Sequence, residues 1–248
     1  MKRTEKKILF LSEVHGDEKI GTEILDNLKE EFLGQFAHII ANEKASKKNV
    51  RFIDCDLNRS APGEKTSDFY EKKRAYELIE IAKQFDIVID IHDSTSNTGI
   101  FSLVTNPTIK NLALANSLPI KNIVIWPGEK DAETGPLTEF MDCAIEIECG
   151  PKNSPKIKNE LKEIVEQIIK SKFQLRDLDF KNKKIFKVQN KIMKKDAFGL
   201  NNIEDFKPVI YKNKKIIPLL VNQYPEILCY NLTPVDDGKT AASNPKRV

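Results

Sequence analysis

Hydrophobic positions along the chain follow two rhythms. Short, β-branched apolar runs recur at residues 7–14 (KILFLSEV), 37–41 (AHIIA), 50–54 (VRFID), 86–92 (DIVIDIH), 100–104 (IFSLV), 122–126 (NIVIW) and 143–148 (CAIEIE). Each has the length and bounding polar residues of a strand. Between them lie helical stripes. Ile20, Ile24, Leu25, Leu28 and Phe32 mark one over 18–32, and Ala75, Leu78, Ile79 and Ala82 another over 68–84. A short helix is expected over 108–117. A longer one opens at Ser154 and Pro155, a good cap and first helical position, and buries Ile157, Leu161, Ile164, Val165 and Ile168. Strands alternating with helices predict an α/β domain built on a largely parallel or mixed sheet.

After about residue 174 the rhythm changes. KIFKVQNKIMK, KPVIYKNKKIIPLLV and EILCYNL read as short strands joined by turns, without a clear helix. We therefore divide the chain into an α/β domain (1–174) and a small β-rich C-terminal domain (175–248). The final DDGKTAASNPKRV is expected to fray.

Composition narrows the class. The 248 residues are 40% hydrophobic and 31% charged, with a formal net charge of +3. The lysines are interleaved with acids, which describes solvated helix faces rather than a nucleic-acid footprint. No apolar stretch approaches the ~20 residues of a membrane helix. The N-terminal apolar run is followed by Glu13 and Asp17 rather than a small-residue cleavage site, so it reads as a first strand in a cytoplasmic protein. Cys55, Cys143, Cys149 and Cys229 form no CxxC pair and are expected as buried thiols.

Chemistry gathers at strand ends. His15 and Glu18 follow the first strand, His92 closes DIVIDIH, and Glu148 closes CAIEIE. In open α/β sheets, sites form at the carboxyl ends of strands. Two imidazoles and one carboxylate make a three-ligand zinc site with an open position for water. A further carboxylate can then move the proton. Glu148 and Glu146 share a strand face and compete for that role; Glu148, nearer the strand end, is preferred. HxxE alone is a weak signal, and Glu18 alone could be a first-turn acid favoured by the helix dipole. His38, inside FAHIIAN, reads as a polar surface or satisfied core residue. In NVRFIDCDLNRSAPG (49–63), Arg59 suits a carboxylate, Asn58 adds a donor, and Asp56 could orient a metal-bound imidazole. The bland alternative there is an Asx turn with a surface arginine.

HGDE (15–18), RFIDCDLNR (51–59), DIHDSTSNTG (90–99) and IECGP (147–151), in this order, resemble the succinylglutamate desuccinylase/aspartoacylase family, a branch of the zinc carboxypeptidase-like enzymes. The resemblance implies a carboxypeptidase-like mixed sheet flanked by helices, with a C-terminal β-rich domain that narrows the active-site mouth. It implies one zinc ion (Zn2+) per chain on His15, Glu18 and His92, with Glu148 as general base and proton shuttle. Arg51 is implied to polarise the scissile carbonyl, Asn58 and Arg59 to hold a substrate carboxylate, and Asp56 to support the first zinc histidine. Tyr224 is the candidate for a tyrosine from the C-terminal module. Two positions depart from the family. Aspartoacylases carry an arginine for the substrate's other carboxylate where this chain has Thr138, and an asparagine where it has Asp93.

The expected function is a zinc-dependent amidohydrolase acting on a small, anionic N-acyl amino acid, without nucleic-acid or membrane partners. A homo-oligomer is compatible with this reading. The alternatives are a metallocarboxypeptidase acting on short peptides and a non-catalytic zinc-dependent binding protein.

Overall fold

The computed structural model describes residues 6–128, 133–171, 179–200 and 202–236. Nine of its strands form one mixed sheet. They are β1 (Ile8–Ser12), β2 (Ala37–Ile40), β3 (Ile87–Asp93), β4 (Gly99–Val104), β5 (Asn122–Ile125), β6 (Ala144–Gly150), β7 (Lys184–Met193), β10 (Pro218–Leu219) and β11 (Ile227–Val235); β8 (Val209–Tyr211) and β9 (Lys214–Ile216) pair as a separate hairpin. The sheet order is β10-β11-β7-β5-β4-β6-β3-β1-β2. Neighbours from β2 through β1 and β3 to β6 run parallel, and β4 lies antiparallel to β6.

The helices are α1 (Ile20–Lys29), α2 (Glu43–Lys48), α3 (Tyr70–Ala82), α4 (Ile109–Ser117) and α5 (Pro155–Lys170). Period-2 alternation sorts the central strands onto two faces. Ile8, Phe10, Ile87, Ile89, Ile91, Ile145 and Ile147 face α1, α4 and α5 and form the larger core. Leu9, Leu11, Val88 and Ala144 face α3 through Ala75, Leu78, Ile79 and Ala82. On that second face the next outward positions are polar. Register pairs Asp90 with Glu146 and His92 with Glu148, so four titratable side chains continue the apolar row towards the strand ends.

The mixed α/β sheet with flanking helices is as expected. Residues 50–54 are not. They form an irregular segment, because Val50 and Phe52 stay exposed and no strand lies alongside to take up their backbone. The helix α2 was unforeseen: EKASKK has no apolar stripe and buries only Ala45. It is held by its ends, with the Asn42 side chain accepting from Ala45 N–H and Asn49 turning left-handed at φ 51°.

Beyond α5, β7 pairs in parallel with β5 and carries β11 and β10, so these strands extend the main sheet. The expected division at 174 and most of the expected frayed tail lie outside the described residues. No described helix is long and apolar enough to cross a membrane. The four cysteines are free thiols, three of them buried.

Ile89 is completely buried between β1 and β6. Ile89→Ala is expected to lower unfolding free energy by about 2–5 kcal/mol, read as a reduced denaturation midpoint at constant m-value.

Candidate active site

The HGDE segment leaves β1 as a tight turn. Glu13 adopts φ 53°, unusual for a non-glycine residue, and its buried carboxylate is held by Lys19 and Thr22. Gly16 lies so close to α2 that a Cβ there would sit 2.2 Å from the Ala45 carbonyl carbon. Its N–H donates to the Arg51 carbonyl at 3.1 Å, and Glu18 N–H donates to the His15 carbonyl at 3.0 Å. These bonds join residue 51 to the turn and aim His15 and Glu18 at the end of β3.

Glu18 lies between two imidazoles. One carboxylate oxygen is 2.8 Å from His15 Nδ1 and the other 3.0 Å from His92 Nδ1. The outer nitrogens also meet carboxylates: His15 Nε2 is 3.1 Å from Asp56, and His92 Nε2 is 2.9 Å from Asp90. An outer carboxylate favours the tautomer with hydrogen on Nε2, leaving the Nδ1 lone pair aimed at Glu18. Three acceptors then converge, an arrangement stable only with positive charge between them. Ligand atoms of His15, Glu18 and His92 lie within 4.8 Å of one another, and all three residues are buried. The donor set therefore fits a divalent cation of the zinc type.

The electrostatics agree. Burial alone would lower both imidazoles. The carboxylates outweigh it: Glu18 and Asp56 raise His15 to about 9, and Asp90 and Glu18 raise His92 well above its ordinary value. Burial would raise Glu18, but His15 and His92 hold it far below the usual carboxylate range. Asp90, His92 and Glu146 form a second close group sharing His92.

Glu148 stands beside this cluster with part of its surface open and no hydrogen-bond partner among the described residues. Burial raises its carboxyl to about 8; the imidazole of His92 opposes this, and the charges of Glu18 and Glu146 add to it. Glu146, its competitor, is fully enclosed. It accepts from Thr138 Oγ1 at 3.0 Å and from the Asn58 amide at 3.3 Å. Asn58 also accepts from Leu137 N–H at 3.2 Å, so its side chain is occupied on both ends.

Arg51 donates to Asp56 through Nε and Nη2, at 3.3 and 3.1 Å, and approaches Glu18 at 3.6 Å. Arg59 touches Asp56 only at 3.6 Å and is 74% exposed. A cavity of about 620 Å³ opens beside the cluster, lined by Arg51, Asp56, Arg59, Lys72, Thr134 and Tyr224 among others. Tyr224 reaches its wall from the C-terminal segment, its phenol pushed to about 12 by burial and the nearby Glu148.

Two supporting residues, Glu71 and Gln223, escaped sequence reasoning, and the role of Asp93 was not foreseen. Glu71 is completely buried, and its carboxylate accepts from the N–H groups of Ile53, Asp54 and Cys55 and from the Asn42 amide. It replaces the missing strand partner of residues 50–54. Its signal was present: Glu71, Ala75, Leu78 and Ala82 share one helical stripe. Gln223 accepts from Thr95 N–H, Thr95 Oγ1 and Ser96 N–H, tying the segment before Tyr224 to the loop after β3. Asp93 accepts from Ile20 N–H at 3.1 Å, so the residue that departs from the family's asparagine caps α1. His38 lies on the opposite sheet face, 2.8 Å from Ser12 Oγ.

A carboxypeptidase-like α/β sheet with a buried His–Glu–His cluster at its strand ends defines a class, and the comparisons define the family. The succinylglutamate desuccinylase/aspartoacylase catalytic-domain model matches residues 4–171, and the chain belongs to that family. A probable aspartoacylase from Prochlorococcus marinus (strain MIT 9215) is 35% identical over 164 residues, covering 59% of this chain and 54% of that relative. Its counterpart from P. marinus subsp. pastoris is 31% identical over 159 residues. The chain spans about half the length of these curated relatives. Among solved structures, murine aminoacylase 3 superposes with TM-score 0.72 at 18% identity, over 95% of this chain and 97% of the other. A succinylglutamate desuccinylase from Chromobacterium violaceum gives 0.69 at 18%, over 94% and 86%. These two share the fold.

Glu71→Ala leaves buried N–H groups without an acceptor. It is expected to cost about 3 kcal/mol of stability, measured by chemical denaturation, and to loosen the segment carrying Arg51 and Asp56, seen as faster amide exchange at 53–55.

Proposed function

We propose that the chain is a zinc-dependent amidohydrolase that removes the acyl group from a small, carboxylate-bearing N-acyl amino acid. The observation that carries this reading is the buried His15–Glu18–His92 cluster with Glu148 projecting from the same sheet face. Family membership supports it. His15, Glu18 and His92 would hold the zinc, with Asp56 and Asp90 keeping the two imidazoles in the ligating tautomer. When bound, zinc supplies Lewis acidity and brings the pKa of a water towards ~7.

The remaining chemistry belongs to side chains. Glu148 takes the proton of the attacking water and later delivers it to the leaving amine nitrogen. Arg51, next to Glu18, offers its guanidinium to the carbonyl oxygen as negative charge develops there. Arg59 holds the substrate carboxylate, which orients the amide. Asn58 supports that grip through its contacts with Glu146 and Leu137 N–H. Tyr224 closes the wall, consistent with a C-terminal segment that shapes the mouth. A cavity of about 620 Å³ suits an acylated amino acid better than a long peptide.

Zinc-loaded Glu148→Gln is expected to keep one metal per chain by elemental analysis while kcat falls about 10²–10⁴-fold. Unchanged turnover would remove Glu148 from the mechanism. His92→Ala should lose the metal itself. Across a panel, acylated amino acids should be cleaved in preference to dipeptides; the reverse order would favour a peptidase.

A further inference from the structure

We propose that Lys72 is the specificity residue of the cavity: its ammonium takes a second carboxylate of the substrate while Arg59 holds the first. This rests on the hydrolase reading above and adds which residue selects the substrate.

The cavity's charges divide into committed and uncommitted groups. Asp56 is engaged by His15, Arg51 and the Asn58 N–H. Asp54 accepts from Tyr70 N–H at 2.8 Å at the start of α3. Arg51 is turned towards Asp56 and Glu18. Two cations remain for a ligand. Arg59 makes a single 3.6 Å approach and is mostly exposed. Lys72 is half-buried, and its ammonium has no carboxylate partner among the described residues, only the Phe69 ring at 5.4 Å. Lys72 and Arg59 are the two cations of the cavity wall that are not turned to a close carboxylate partner among the described residues. Lys72 lines the cavity, and an ammonium without a counter-ion beside a cavity can serve as a binding group for an anion.

Thr138 supplies no binding group to the cavity. That position is fully buried, and its hydroxyl is closed between Thr105, at 2.9 Å, and Glu146. It does not line the cavity. Lys72 enters the cavity from another wall.

Backbone contacts join the two chain segments that carry these cations. The Lys72 carbonyl accepts from Glu64 N–H at 3.0 Å. Gly63, at φ 80°, lies so close that a Cβ would be 2.4 Å from that carbonyl oxygen. The segment leaving Arg59 is thus pressed onto α3 at Lys72.

The test uses zinc-loaded Glu148→Gln protein as a host that does not cleave its ligand. N-acetyl-L-glutamate, N-acetyl-L-aspartate and N-acetyl-L-methionine are titrated into it by calorimetry. At least one dianion is expected to bind about tenfold more tightly than the methionine derivative. Adding Lys72→Met, or Lys72→Gln should that protein fold poorly, should erase the lead. Lys72→Arg should restore most of it, and Lys73→Met, on the exposed side of α3, should keep it. A lead that survives loss of Lys72, or no lead in the Lys72-bearing host, overturns the proposal. Failure of wild-type protein to release amino acid from any acylated compound would sink the hydrolase reading separately, without altering the calorimetric ranking.

Discussion

A buried carboxylate set between two imidazoles, each backed by another carboxylate, is the constraint around which the rest is arranged. Glu18 cannot sit there unless positive charge accompanies it. Several contacts hold the surrounding residues in place. The turn carrying His15 and Glu18 is fixed by Gly16 against α2 and by the backbone of Arg51. His92 is held by the central sheet through its pairing with β6. Small movements in any of these would separate charges that the low-dielectric interior leaves poorly screened.

The sheet gives one strand two jobs. The inner stretches of β3 and β6 alternate isoleucines on one face with Val88 and Ala144 on the other. Towards the carboxyl ends the second face changes to Asp90, His92, Glu146 and Glu148, while the isoleucines continue behind. Hydrophobic burial on the α1 and α5 side therefore stabilises the sheet right up to the residues that carry charge. Glu146 and Glu148 share this face but differ in surroundings. The first is enclosed by Thr138 and Asn58, and the second faces the site with free oxygens. Position along the strand, more than residue type, separates an enclosed acid from an accessible one.

Much of this was legible in the chain. DIVIDIH and CAIEIE announce strands because period 2 and β-branching coincide, and both end in titratable residues. The HGDE and RFIDCDLNR motifs pointed to residues that meet in space although 41 positions separate His15 from Asp56. What stayed hidden depended on partners supplied from afar. VRFID looks like a strand from its apolar content, yet its amides are satisfied by the Glu71 side chain rather than by a ladder. A glutamate inside an apolar stripe signals such a role only once the neighbouring segment is placed. The docking of Gln223 onto residues 95–96 crosses more than a hundred positions, and no local pattern encodes it.

That glutamine has a mechanical consequence. One side-chain oxygen receives three donors from the loop after β3, and the Val221 carbonyl accepts a fourth bond from Ser96 Oγ at 2.8 Å. The tyrosine-bearing rim and the strand end that presents His92 are thereby riveted into one unit. Shifting the Tyr224 wall of the cavity means shearing this joint, so the shape of that wall and the alignment of the charged centre cannot be tuned independently.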